Sequence, residues 1–346
     1  MKALIYVGPR QIEYTDMREP VIEEDRDIIV EVTACSICGS DLHIYQGESF
    51  LGGDVGYCVG HEAVGEVVEV GSAVRHRKVG DRVMLSAAVG CGDCRKCLAG
   101  DVLQCLNFRQ QCYGLSAALQ GCQAQLVRVP VGDLNSRIIP DGLSDEQALM
   151  LTDSMSTAWY GCRNAAIRPG SDVAIVGLGP IGLMAVEAAF ALGAARVFAI
   201  DPVAERRAWA QSLGAIALEP ITAQEVIRDA TANQMVDSVV EAAGATPALS
   251  TALGLAGREK TVSVIGVNLS PNFPLPLGEV LLRGVTLAIG TCSVPRYWPE
   301  LIPLVREGKL NPQRFITHRA PLSEGASIYE AFAERQNGIL KAVLKP

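Results

Sequence analysis

Two textures of apolar and polar positions divide this chain. Over roughly the first 150 residues the apolar positions fall in short runs, at residues 2–7, 27–34, 63–70, 82–87 and 124–129, each bounded by Gly, Pro or Asp. That pattern predicts β-strands, and helical periodicity is scarce there. From about residue 170 strands and helices alternate. Residues 172–176 read as a strand, 180–192 as a helix, 197–200 as a strand and 204–213 as a helix, and then come strands at 238–242, 261–265 and 286–289 with a helix near 247–255. This βαβ rhythm predicts a doubly wound parallel sheet. Two further helical stretches, 299–307 and 324–336, occupy the tail. No internal repeat or low-complexity segment appears.

The length of 346 residues suits two domains, since one domain usually holds about 100–200 residues. The expected division is a β-rich catalytic domain over 1–153, completed by 296–346, and a nucleotide-binding domain over 154–295. A composition 49% hydrophobic and 20% charged provides apolar material for two cores. The formal net charge of -8, with no basic patch, argues against nucleic acid or an anionic membrane as partner and favours small molecules. The longest apolar run, 173–186, is glycine-rich and ends at Glu187, short of the roughly 18–20 residues that span a bilayer. The N-terminal run closes at Gly8-Pro9-Arg10 without the pattern of a signal peptide, so the expected location is the cytoplasm. In that compartment the eleven cysteines read as thiols or metal ligands rather than disulfides.

Strand 172–176 runs directly into Gly177-Leu178-Gly179-Pro180-Ile181-Gly182, and a helix follows. Glycines in that context permit a sharp turn, close approach of a pyrophosphate and tight helix-to-strand packing, while the helix N-terminus attracts phosphate charge. Asp201, 201 − 182 = 19 residues past the last glycine, falls where a carboxylate holds the adenosine ribose hydroxyls. This favours NAD over NADP. Arg206 and Arg207 follow closely and either soften that preference or serve as solvated surface charges.

Cys91, Cys94, Cys97 and Cys105 form C-x2-C-x2-C-x7-C in a loop with few apolar residues of its own. Four thiolates suit tetrahedral zinc and leave no vacant position, so that metal would be structural. An iron–sulfur centre is the smaller alternative. A catalytic metal needs three protein ligands and one open position. His61 in Gly60-His61-Glu62 and Cys38 in Cys38-Gly39-Ser40-Asp41-Leu42-His43 are candidates. Cys35 and Cys38 also read as a possible redox CxxC pair.

Gly60-His61-Glu62-x2-Gly65-x5-Gly71-x2-Val74, then Val79-Gly80-Asp81-Arg82-Val83, the four-cysteine lobe and the glycine turn occur in one order. In this order the chain resembles the zinc-containing medium-chain alcohol dehydrogenase family over essentially its whole length. The resemblance implies an α/β protein made of a β-rich GroES-like catalytic domain plus a Rossmann NAD-binding domain. It also implies two zinc ions per chain. Cys38, His61 and Asp153 look like the catalytic ligands, with Glu62 adjacent and able to approach the metal, and Cys162 as the alternative to Asp153. Ser40 resembles the family's hydroxyl relay and His43 its proton exit. Asp41 and Glu62 resemble carboxylates that orient His61, and Lys341 resembles the basic contact to the NAD pyrophosphate.

The resemblance implies oxidation of a small, secondary alcohol to the carbonyl compound by a homo-oligomer, dimer or tetramer. The aspartate at the third ligand position is similar to the bacterial secondary alcohol dehydrogenases, while polyol and formaldehyde-type dehydrogenases of the same family stay open. Other classes are a non-catalytic NAD-binding protein and a thiol redox protein. Ala87, Tyr45, Trp159 and Trp298 are candidate pocket-lining residues.

Overall fold

A computed structural model describes residues 1–48, 54–108, 112–270 and 272–346. The chain divides into two compact units, residues 1–156 with 292–346, and residues 157–291.

In the first unit a seven-stranded sheet runs in the order His318–Pro321, Ala342–Lys345, Ile28–Ser36, Glu62–Val70, Arg82–Leu85, Ser136–Ile138, with Leu126–Val129 pairing on Ile28–Ser36. A three-stranded sheet of Gln11–Asp16, Lys2–Gly8 and Tyr57–Cys58 completes it. Alternation along Ile28–Ser36 places Ile28, Val30 and Val32 in a core with Val67, Val83, Val127 and Val129. Glu31 and Thr33 lie on the opposite, exposed face, the period-two pattern of a half-buried strand. The C-terminal strand Ala342–Lys345 enters the middle of this sheet, with Val343 opposite Ser36 and Leu344 opposite Cys35.

The second unit is built on a six-stranded sheet, every neighbouring pair parallel. Its order is Ile216–Leu218, Arg196–Ile200, Asp172–Val176, Val236–Glu241, Ala256–Val264, Thr286–Ile289. The sequence alternates strand with helix because a parallel neighbour can be reached only by a crossover, and the helices bury both sheet faces. Helix Pro180–Ala191 is apolar nearly all round, with Leu183, Met184, Ala185, Val186, Ala188 and Ala189 buried. A helix with that composition belongs inside the unit rather than on its surface.

The strands expected from short apolar runs are all present, with ends shifted by a few residues. Helices Asp145–Leu151 and Pro220–Ala230 escaped the apolar pattern. The first carried a local signal: Ser144 Oγ accepts the N–H of Gln147 at 3.2 Å while the Ser144 N–H donates to Gln147 Oε1 at 2.9 Å, a capping box. The expected helix 324–336 is shorter. It spans Gly325–Ala333 and ends before Arg335, which adopts φ +55° and breaks the helical backbone. Among the described residues no helix is long and apolar enough to cross a membrane.

Candidate active site

Cys38 ends the run that follows strand Ile28–Ser36 and stands at the head of the short helix Gly39–Tyr45, where its own N–H donates to Asp41 Oδ2 at 2.9 Å. His61 precedes strand Glu62–Val70 and follows Gly60, whose φ of +89° and contact with the Gln123 side chain leave no room for a Cβ. Asp153 joins helix Asp145–Leu151 to the helix that opens at Ser154. The fold brings these three together, with Cys38 Sγ, His61 Nε2 and an Asp153 oxygen all within 4.8 Å of one another.

The spacing suits one zinc ion. Ideal tetrahedral bonds of about 2.3 Å to sulfur and about 2.0–2.1 Å to nitrogen and oxygen put sulfur about 3.6 Å from oxygen and nitrogen about 3.4 Å from oxygen. Cys38 Sγ lies 3.6 Å from Asp153 Oδ2, and His61 Nε2 lies 3.4 Å from the same atom. Ser40 Oγ is 3.3 Å from His61 Nε2, so the hydroxyl borders the ligand set. On the other side of the ring His61 Nδ1 approaches Asp41 Oδ1 to 3.2 Å. Both atoms are buried and neither makes a well-aligned hydrogen bond, which fits a ring turned to present Nε2 to a metal. Burial works against a charge on His61, but the carboxylates of Asp41 and Asp153 outweigh it and hold the imidazole well above its ordinary pKa. A metal therefore has to displace a proton from it.

Glu62 is corrected as a metal ligand. Its carboxylate is fully buried and engaged elsewhere, accepting from Ser36 Oγ, Ser154 Oγ and Lys341 Nζ. Lys341, expected at the cofactor pyrophosphate, is 1% exposed here, and its ammonium donates to Glu62 and, at 3.1 Å, to the Ile37 carbonyl. Burial disfavours that ammonium, yet Glu62 more than compensates and raises its pKa. Cys162 is a packed thiol in the second unit, donating to the Ala185 carbonyl at 3.4 Å, with its pKa raised by burial. Cys35, the other cysteine of the Cys35–Cys38 spacing, is fully buried. Cys35 donates to the Leu344 carbonyl and burial pushes its thiol far up. Tyr45 belongs to the core, its ring tilted against that of Tyr329, and Trp298 is buried with its N–H on the Leu151 carbonyl at 3.0 Å. His43 Nδ1 pairs with Glu48 Oε2 at a partly exposed position.

One neighbour of the site had no sequence signal. Cys112 lies near His61, Asp153 and Cys38, and its thiol is pushed up to about 12, chiefly by burial. No spacing rule singles out a lone cysteine so far along the chain from the other three.

Cys91, Cys94, Cys97 and Cys105 converge as a second set, with sulfur separations of 3.5, 4.0 and 4.0 Å for the 94–97, 91–97 and 94–105 pairs. Tetrahedral zinc requires about 3.8 Å and a disulfide about 2.0 Å. Backbone N–H groups of Cys94, Cys97, Leu106 and Asn107 point at these sulfurs, and Asn107 Nδ2 reaches Cys91 Sγ at 3.2 Å. The amide of Leu106 foremost, with that of Cys97, lowers the Cys94 thiol to about 6. Such donors offset the negative charge that four thiolates leave on zinc.

In the second unit Gly177 turns the chain at φ +91°, and a Cβ on Gly182 would stand 1.8 Å from the Gly177 carbonyl oxygen. Gly179 caps the following helix, with Pro180 in its first turn and Ile181 beside it half-buried. Asp201 stands at the end of the neighbouring strand, its two oxygens accepting the N–H groups of Leu178 and Val203, both at 2.8 Å. This locks the carboxylate beside the glycine turn and leaves it further acceptor sites. Arg206 lies 3.8 Å from Asp201 Oδ2, whereas Arg207 is held by the Asp201 and Pro202 carbonyls and Glu219.

The chain matches the alcohol dehydrogenase GroES-like domain family over residues 24–140 and the zinc-binding dehydrogenase family over residues 180–307. It is 40% identical to the "Probable zinc-binding alcohol dehydrogenase" of Mycobacterium tuberculosis, covering 100% of this chain and 89% of that protein. Among solved structures it is similar to alcohol dehydrogenase TADH from Thermus sp. ATN1, with TM-score 0.94 and 35% identity over 100% and 99% of the two chains. It is also similar to a putative zinc-binding dehydrogenase of Sinorhizobium meliloti bound to NADP, with TM-score 0.84 and 29% identity over 100% and 99%.

Proposed function

The chain belongs to the zinc-containing medium-chain alcohol dehydrogenase family, and from that premise we propose that it oxidises a small secondary alcohol to the ketone with NAD, using one catalytic and one structural zinc. The observation that carries this reading is the agreement of the Cys38, His61 and Asp153 spacings with tetrahedral coordination. Bound by those residues, zinc supplies Lewis acidity that lowers the pKa of an alcohol hydroxyl.

The chain's own residues do the rest. Ser40 Oγ, bordering the ligand set, accepts the alcohol proton and passes it outward, and His43 with Glu48 forms the partly exposed end of that route. Asp41 faces His61 Nδ1 as its counter-charge, and Cys91, Cys94, Cys97 and Cys105 would fix their loop around the structural metal. The turn Gly177 to Gly182 receives the pyrophosphate at the head of helix Pro180–Ala191, and Asp201 takes the ribose hydroxyls. Held there, NAD would supply the hydride acceptor for the alcohol carbon, while the alcohol proton leaves through Ser40. A carboxylate at Asp201 disfavours a 2′-phosphate, which supports NAD, and Arg206 is the residue able to soften that preference.

Four thiolates on zinc require a reducing compartment, which supports a cytoplasmic location. Strand Thr286–Ile289 is one edge of its sheet, and Ile289 with Leu277, Leu281 and Leu282 is well exposed, which supports assembly into a homo-oligomer through this unit. Purified protein should contain two zinc ions and turn over secondary alcohols with NAD in a panel of primary, secondary and polyol substrates. Two zincs with best kcat/KM on a primary alcohol or a polyol would keep the family and discard the substrate class.

A further inference from the structure

Three separate stretches of chain deliver the candidate metal ligands, and one buried carboxylate ties all three. Glu62 follows His61 directly. It accepts from Ser154 Oγ, the neighbour of Asp153, and from Ser36 Oγ, two residues before Cys38. Lys341 Nζ donates to Glu62 Oε2 and also to the carbonyl of Ile37, which adjoins Cys38. Ser36, Glu62, Ser154 and Lys341 are each 0–1% exposed. Lys341 comes from the opposite end of the sequence, just before the strand whose Val343 pairs with Ser36, so the backbone ladder fixes its position.

We propose that Lys341 is a positioning residue for the metal site: by neutralising Glu62 it holds the segments bearing Cys38, His61 and Asp153 at coordination spacing before the metal arrives. The inference rests on reading those three residues as zinc ligands. A buried ion pair adds little net stability compared with apolar packing, so stability alone does not account for a lysine here. What it does provide is an anchor: without the ammonium, the buried carboxylate loses its counter-charge and its tie to the Ile37 carbonyl, and the hydroxyls of Ser36 and Ser154 donate to an acceptor that is no longer held in place. Supporting groups of this kind change metal affinity by about 10–100-fold when removed.

The test uses the zinc-loaded protein and its cobalt-exchanged form, with metal content, zinc competition by a chelating indicator and cobalt visible spectra as readouts. Lys341→Met should raise the dissociation constant of the Cys38, His61, Asp153 set by about 10–100-fold and alter its cobalt bands, with the four-cysteine zinc retained. Asp27→Asn is the comparator. It perturbs another buried carboxylate of the same unit, paired with Arg128 at 2.8 Å, and should lower Tm without changing the affinity of the Cys38 set. If Lys341→Met does not fold, Ser154→Ala removes one neutral hydroxyl and should weaken the same set in the same direction. Wild-type metal affinity and cobalt bands in either folded variant would overturn the proposal, and so would equal loss in Asp27→Asn. Wild-type protein holding one zinc would overturn the ligand reading itself and this inference with it.

Discussion

Gly182→Ala isolates the cofactor turn from the metal chemistry. A Cβ at position 182 falls 1.8 Å from the Gly177 carbonyl oxygen, whereas real Cβ contacts essentially never come within 3.0 Å. The junction of strand, turn and helix must open by at least 3.0 − 1.8 = 1.2 Å, and the obstacle is backbone, not a side chain that can swing aside. Overpacking of that kind costs about 1–3 kcal/mol. For a unit of this size that corresponds to a Tm lower by about 3–15 °C. A shift of about 1 Å in the groups that grip a ligand costs about 100-fold in the reaction they support. Gly179→Ala is the internal control, since a Cβ there meets nothing within 4 Å and should leave Tm in place. Circular dichroism on heating and NAD titration by fluorescence measure the two consequences, and metal analysis checks that both zinc sets are left alone. Gly182→Ala with unchanged Tm and unchanged NAD affinity would refute the reasoning.

Asp153→Asn keeps the size and removes the charge, so it should cost at least about 10–100-fold in catalytic-site zinc affinity while the four-cysteine zinc stays. Metal analysis after dialysis reads this, and two retained zincs would transfer the third ligand to another residue. Asp201→Ser removes the carboxylate beside the glycine turn and should narrow the NAD over NADP ratio of kcat/KM, with an unchanged ratio counting against it. Zinc affinity at the Cys38 set should rise with pH through the neutral range. The raised pKa of His61 means the metal-free ring holds a proton there, and zinc must expel it until pH passes that raised value. Calorimetry in buffers of different ionisation enthalpy counts the released protons, and a release no greater than the one proton a thiol ligand gives up would contradict this sign.

Local chemistry made much of this protein readable in sequence. The four cysteines were legible because their metal set closes within one loop, Cys91 to Cys105, where sequence spacing is nearly spatial spacing. The glycine turn was legible because a strand, a turn and a helix N-terminus are consecutive, and only glycine fits at positions 177 and 182. The parallel sheet followed from alternation, since each strand needs a crossover to reach its neighbour. Family resemblance drew together Cys38, His61 and Asp153, which no spacing rule joins. The fates of Glu62 and Lys341 were beyond that reach. Sequence reading placed Glu62 on or beside the metal and Lys341 on a phosphate, yet 279 positions apart in the chain they meet fully buried, and there each is the other's ion partner. Sequence determines which groups carry charge and which runs must fold locally. Only the tertiary structure decides which charges lose their water, and a charge that loses its water takes the nearest opposite partner rather than the ligand its residue type suggests.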